Sequence, residues 1–138
     1  MGQILAIDYG KARCGIAATD DFQIIASGLP TVDTKSIFEF FKKYLGENNV
    51  DGLVVGLPTD LKGNLSEIEK DILKFIESFK NTFPEVEIHR MDERFTSKMA
   101  SFFISQSGKS KKKREEKGLI DKVSATLILQ NFLELKQR

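Results

Sequence analysis

A chain of 138 residues that is 41% hydrophobic and 30% charged has the size of one domain and enough apolar material for a core, which excludes a disordered polypeptide. Its 21 cations and 20 anions nearly cancel, so the net charge of +1 singles out no class of partner. One cysteine, Cys14, excludes an internal disulfide, and no run approaches the roughly 20 apolar residues of a membrane span.

The opening MGQILAIDYG has no basic segment leading into a long apolar region, so no secretory signal is expected and a cytoplasmic location is the default. Residues 4–8 read as a short buried strand that ends in Asp8, with Gly10 two residues on. Residues 15–19 and 22–27 are two further strands around a tight Asp20-Asp21 turn, and Pro30 closes this antiparallel meander. Cys14, in an apolar stretch, is expected to be a small buried side chain.

The period then changes. Asp33 or Thr34 can cap a helix carrying Ile37, Phe38, Phe40, Phe41, Tyr44 and Leu45, with Gly46 as its C-cap. Leu53-Val54-Val55 is an unalternated apolar run, as in a central strand covered on both faces. Ser66 and Glu69 form a capping box before a helix bearing Ile68, Ile72, Phe75, Ile76 and Phe79. VEIHR is the next strand. Thr96 or Ser97 caps a helix with Met99, Phe102, Phe103 and Ile104, and residues 119–135 form the last helix. The order predicts an α/β fold: one domain over 1–138, a mixed sheet led by an antiparallel meander, with helices packed on it.

Ligands of open α/β sheets sit beyond the carboxyl ends of the strands. Asp8, the stretch GLPTDLKGN and the stretch MDERFTS all fall there, and Asp121 opens the last helix. Carboxylates gathered from such distant points repel unless cations bridge them, which suits a hard divalent metal such as Mg²⁺. Singly, each acid is as well read as a turn residue, a helix-dipole partner, or, for Glu93, the partner of Arg94.

The pieces AIDYGKARCGIAATD, VVGLPTDLKGN, DERFTS and KGLIDKVSATLILQNFL stand in the order seen in the YqgF family, which this chain resembles from about residue 4 to residue 133. Those proteins have an RNase H-like fold and are described as Holliday-junction resolvases and as nucleases that process pre-16S ribosomal RNA. The resemblance implies a carboxylate cluster of Asp8, Glu93 and Asp121 that holds Mg²⁺ or Mn²⁺ and is catalytic. It further implies Arg13 and Arg94 as phosphate contacts or supports for the acids. Departures fall at Cys14, at DLKGN and at Ser124, none of them touching Asp8, Glu93 or Asp121.

Residues 109–117, KSKKKREEK, carry +4 and leave −3 for the remainder. A mobile loop over about 107–118 is expected here, with Lys111, Lys112, Lys113 and Arg114 clamping phosphate alongside Lys11. His89 reads as a strand-face or edge residue, and whether Asp92 faces the site is open. The D-x-G hairpin also resembles that of actin-like ATPases and sugar kinases, but those use two such domains. A third reading is a module that binds nucleic acid or a transcription complex without cutting. The favoured expectation is an enzyme acting on structured RNA, with branched DNA as the other substrate, as a monomer or weak homodimer.

Overall fold

The computed structural model describes residues 2–58, 67–92 and 113–136. Strands β1 (Gln3–Tyr9), β2 (Arg13–Thr19), β3 (Ala26–Asp33), β4 (Val50–Leu57) and β5 (Glu87–Asp92) form one sheet in the order β3-β2-β1-β4-β5. The first three are an antiparallel meander, whereas β4 and β5 run parallel to β1. The helices are α1 (Ile37–Glu47), α2 (Glu69–Thr82) and α3 (Lys113–Lys136).

Because side chains alternate along a strand, the sheet has two chemically separate faces. Leu5, Ile7, Ile16, Leu53 and Val55 pack with Phe41 of α1 and Ile72, Phe75 and Phe79 of α2. Aromatic rings knit this side: Phe41 meets Phe79 edge-on at 5.2 Å between centroids. Ile4, Ala6, Ala17 and Val54 face the other way, against Ala125, Ile128, Leu129 and Leu133 of α3. The alanines on both partners let α3 settle close to the sheet.

Four expectations change. The third strand begins at Ala26 rather than 22 and continues through Pro30 to Asp33. Residues 20–25 are taken up by a turn in which the Asp20 carboxylate accepts the amides of Ile24 and Ile25 at 2.8 and 3.0 Å. Pro30 is tolerated because β3 is an edge strand and its register slips between Cys14↔Val32 and Ile16↔Leu29, a bulge where no ladder donor is needed.

Gly46 lies inside α1; the C-cap is Asn48, whose amide and side chain both donate to the Tyr44 carbonyl. Thr34 caps nothing. It opens a 3-10 turn (Thr34–Ser36), and its hydroxyl donates to the Gly10 carbonyl at 2.6 Å. Finally, α3 starts at Lys113, so residues 113–118 of the expected loop are helical. Lys, Arg and Glu are strong helix formers, and Glu115 and Glu116 suit the positive helix start. The rest of that loop, Ser66 and the helix expected from Thr96 or Ser97 lie outside the described residues.

Candidate active site

Asp8 is the sixth residue of β1, paired with Gly15 across the antiparallel ladder. Its parity is that of Ile4 and Ala6, so the strand assigns it to the α3 face, where it is partly buried. Beyond it the chain turns through Gly10, Lys11 and Ala12. A Cβ at Gly10 would collide with the Arg13 carbonyl oxygen, so the turn requires glycine. Thr34 ties the turn down through its hydroxyl to Gly10 and its amide to the Ala12 carbonyl. Lys11 is exposed and Arg13 partly buried, both just past the end of β1.

On β5 the two faces separate in the same way. Met91 packs with the α3 cluster and the His89 ring lies 4.8 Å from Phe132 of α3, whereas Ile88 packs with the α1 and α2 cluster. Arg90 and Asp92 share the parity of Ile88, so Asp92 stands on the face opposite Asp8, exposed, which removes it from the candidate acids. His89 sits mid-strand, paired with Val54, with Nε2 3.4 Å from a Glu87 carboxylate oxygen. It is an edge-strand histidine, as expected.

On α3, position 121 lies one helical turn before Ala125 and two before Ile128, residues that pack on the sheet. Asp121, Lys113 and Arg114 belong to this helix by their backbone. Glu93, Arg94, Lys111 and Lys112 lie outside the described residues. Among the described residues, no three His, Cys, Asp or Glu side chains gather into a metal-binding group.

One constellation escaped the sequence reading. The Arg90 guanidinium donates two hydrogen bonds to the Glu69 carboxylate, at 2.9 and 2.7 Å, and two more to the carbonyls of Val55 and Gly56, at 3.1 and 3.0 Å. Glu69, expected to serve a capping box, is buried at the start of α2 and faces this cation instead. The clamp fastens the end of β4 to β5 and α2, beside the edge that Asp8 occupies. Its faint trace in the sequence was an arginine with the parity of the partly buried Ile88.

Hollows flank the sheet among the described residues. A cleft of about 640 Å³ follows β5 between His89, Met91 and Phe132, along the sheet edge rather than at Asp8. A smaller one of about 270 Å³ lies behind Asp8, between Tyr9, Phe38, Asp71 and Phe75. Burial raises the Tyr9 phenol above its usual range, with Cys14 and Asp71 adding to the effect, so Tyr9 stays neutral and donates no charge to the site.

A five-stranded sheet in this order, with an antiparallel meander, parallel β4 and β5, and an acid at the end of the central strand, defines an RNase H-like α/β protein. The family model described as RuvX: Holliday junction resolvase matches residues 2–135, and the chain belongs to that family, as its likeness to YqgF proteins implied. A protein of Flavobacterium johnsoniae is 47% identical over 137 residues, 99% of either chain. One of Bacteroides fragilis is 42% identical over 137 residues, again 99% of each, and one of Amoebophilus asiaticus 45% over 138, covering 100% of this chain and 98% of its own. All three carry the name "Putative pre-16S rRNA nuclease".

Proposed function

We propose that this chain is a single-domain, divalent-metal-dependent endonuclease of structured nucleic acid, and that it trims pre-16S rRNA in the cytoplasm as a monomer or weak homodimer. The observation that carries the reading is that β1 assigns Asp8 to the same face of the sheet that α3, the helix whose backbone includes position 121, covers through Ala125 and Ile128. Glu93, in the DERFTS motif directly after β5, is the third acid by the resemblance to the family, whereas Asp92 shares the parity of Ile88 on the opposite face. Three such acids offer only oxygen donors, the set that Mg²⁺ or Mn²⁺ takes. A divalent cation held there supplies the positive charge that a phosphodiester needs as it is attacked and cleaved.

The chain's own residues do the rest. Asp8 is held partly buried at the strand end, on a ladder row whose Gly15 partner has no side chain to obstruct a ligand. Lys11, on the turn fixed by Thr34, and Arg13, the first residue of β2, contact phosphate on one side of the cut. Arg94 and the basic run with Lys111, Lys112, Lys113 and Arg114 draw in the backbone without regard to sequence. The names of the relatives favour precursor rRNA, and the description of the family model makes branched DNA the substrate to test beside it.

The test is cleavage of a precursor rRNA fragment and a four-way DNA junction, each with Mg²⁺ or Mn²⁺, by wild type and Asp8→Asn. Metal-dependent cutting of the RNA, lost in the variant while binding persists, is the expected result. Cutting of the junction alone moves the substrate to DNA. No cutting of either, with equal binding by both proteins, overturns the nuclease reading.

A further inference from the structure

The β2–β3 turn presents three large apolar side chains to solvent: Phe22, Ile24 and Ile25 are 73%, 64% and 64% exposed. They are held there by a built scaffold. Gln23, between them, takes a left-handed backbone conformation with φ of 59°, and its buried amide donates to the Gly2 carbonyl at 2.7 Å and the Asp51 carboxylate at 3.2 Å. A non-glycine residue at positive φ is uncommon, and here the neighbouring bonds enforce it. Asp20 fixes the following two amides, and the bonds it accepts from Ile25 and Ile24 hold its carboxyl below the usual range, so it is charged at neutral pH. Gln23 is thus turned inside while Phe22, Ile24 and Ile25 stand outside, the reverse of what folding alone favours.

The tip stands at the end of the sheet away from Asp8. Thr19, at the last position of β2, bonds the Ile4 amide near the start of β1, and Gln23 bonds Gly2. About five strand residues, on the order of 15 Å, separate this pole from Asp8. Asp20 and Asp21 adjoin the apolar side chains and Asp51 underlies them, so the rim is acidic and repels a phosphate backbone. The three side chains offer on the order of 400 Å² together, about half of what each partner gives to a standard interface. Two copies joined tip to tip would cover too little for a stable dimer and would bring like charges together.

We propose that this tip is a docking knob for a basic protein of the RNA-bearing particle, inserting Phe22, Ile24 and Ile25 into an apolar groove rimmed by cations. The choice of particle rests on the precursor-rRNA reading above. Proteins that coat RNA carry such cations, and an exposed aromatic on a rigid support is the usual anchor of a protein contact. The enzyme would then hold its substrate at one pole by nucleic acid and at the other by protein.

The experiment compares wild type, Phe22→Leu and the triple variant Phe22→Ser/Ile24→Ser/Ile25→Ser, with urea midpoints confirming equal folding. Affinity is measured for purified small-subunit precursor particles and for the same precursor rRNA stripped of protein. The triple variant should bind particles at least about tenfold more weakly and naked RNA within about twofold of wild type, with Phe22→Leu between. Unchanged affinity for particles overturns the proposal, as does an equal loss on naked RNA. Self-association of wild type that the triple variant abolishes would instead make a second copy the occupant. Wild type that binds particles through the tip yet cuts no RNA would sink the nuclease reading and leave the knob standing. Cleavage of RNA on particles with no dependence on the tip would do the reverse.

Discussion

Replacing Arg90 with methionine keeps the volume of its stem but removes four hydrogen bonds at once. The Glu69 side chain, only 9% exposed, is left as a buried carboxylate without its cation. Breaking a buried pair from one side costs about 3–5 kcal/mol, most of it the stranded charge. At the 25% exposure of the Arg90 side chain, water recovers part of that, so about 3 kcal/mol is expected. For a chain of this length that is a fall of roughly 10 °C in melting temperature.

Urea unfolding of Arg90→Met, Glu69→Leu and the double variant measures this directly. The double variant should cost less than the sum of the singles by about 2 kcal/mol, because no lone charge remains. A single-variant loss under about 1 kcal/mol, or strict additivity, would show that the clamp is ornamental and that β4 is held by its ladder alone. If the clamp positions the end of β4 for catalysis, Arg90→Lys should keep more stability than activity, since a lysine cannot span both carboxylate oxygens and both carbonyls.

Three further outcomes are expected. Gly10→Ala should lose about 1–3 kcal/mol, seen as a lower urea midpoint, because the new methyl meets the Arg13 carbonyl and the turn must open. Asp20→Asn should flatten the acid limb of the stability profile. The Asp20 carboxyl is depressed in the folded chain, so its contribution is complete above the ordinary carboxylate range near about pH 4 and is lost as pH falls through the lower folded value. An unchanged acid limb would refute the capping role. Ser124→Ala should be neutral or stabilising by up to about 1 kcal/mol, because the Ser124 hydroxyl is buried with no hydrogen-bond partner among the described residues; a loss on thermal melting would point to a partner bound there.

The strands of the parallel core were readable because their apolar runs are dense and end in glycine or a carboxylate. Asp8 stood out for the same reason: a charge at the end of such a run has to be explained. Phe22, Ile24 and Ile25 misled the reading, since apolar residues next to a turn look like a strand unless the turn's own bonds are known, and those come from Asp20 and from Gln23 reaching Gly2. The bond between Glu69 and Arg90, 21 positions apart, leaves no local pattern; a capping motif explained the glutamate more cheaply. The family's motifs carried Glu93 and Asp121, while the alternation of β5, visible only with its neighbours in place, removed Asp92.

The sheet also makes the chemistry hostage to a count. Ile7 belongs to the phenylalanine-rich side and Asp8, its neighbour, to the side covered by α3. Deleting one residue before Asp8 within β1 would move Asp8 into the row of Ile7, driving a carboxylate among Phe41, Phe75 and Phe79 and leaving Tyr9 in the row that Asp8 vacates. Stability and activity would vanish together, although every residue type the chemistry uses would still be present. Length variation in this family should therefore gather in the connections between strands and spare the interior of β1.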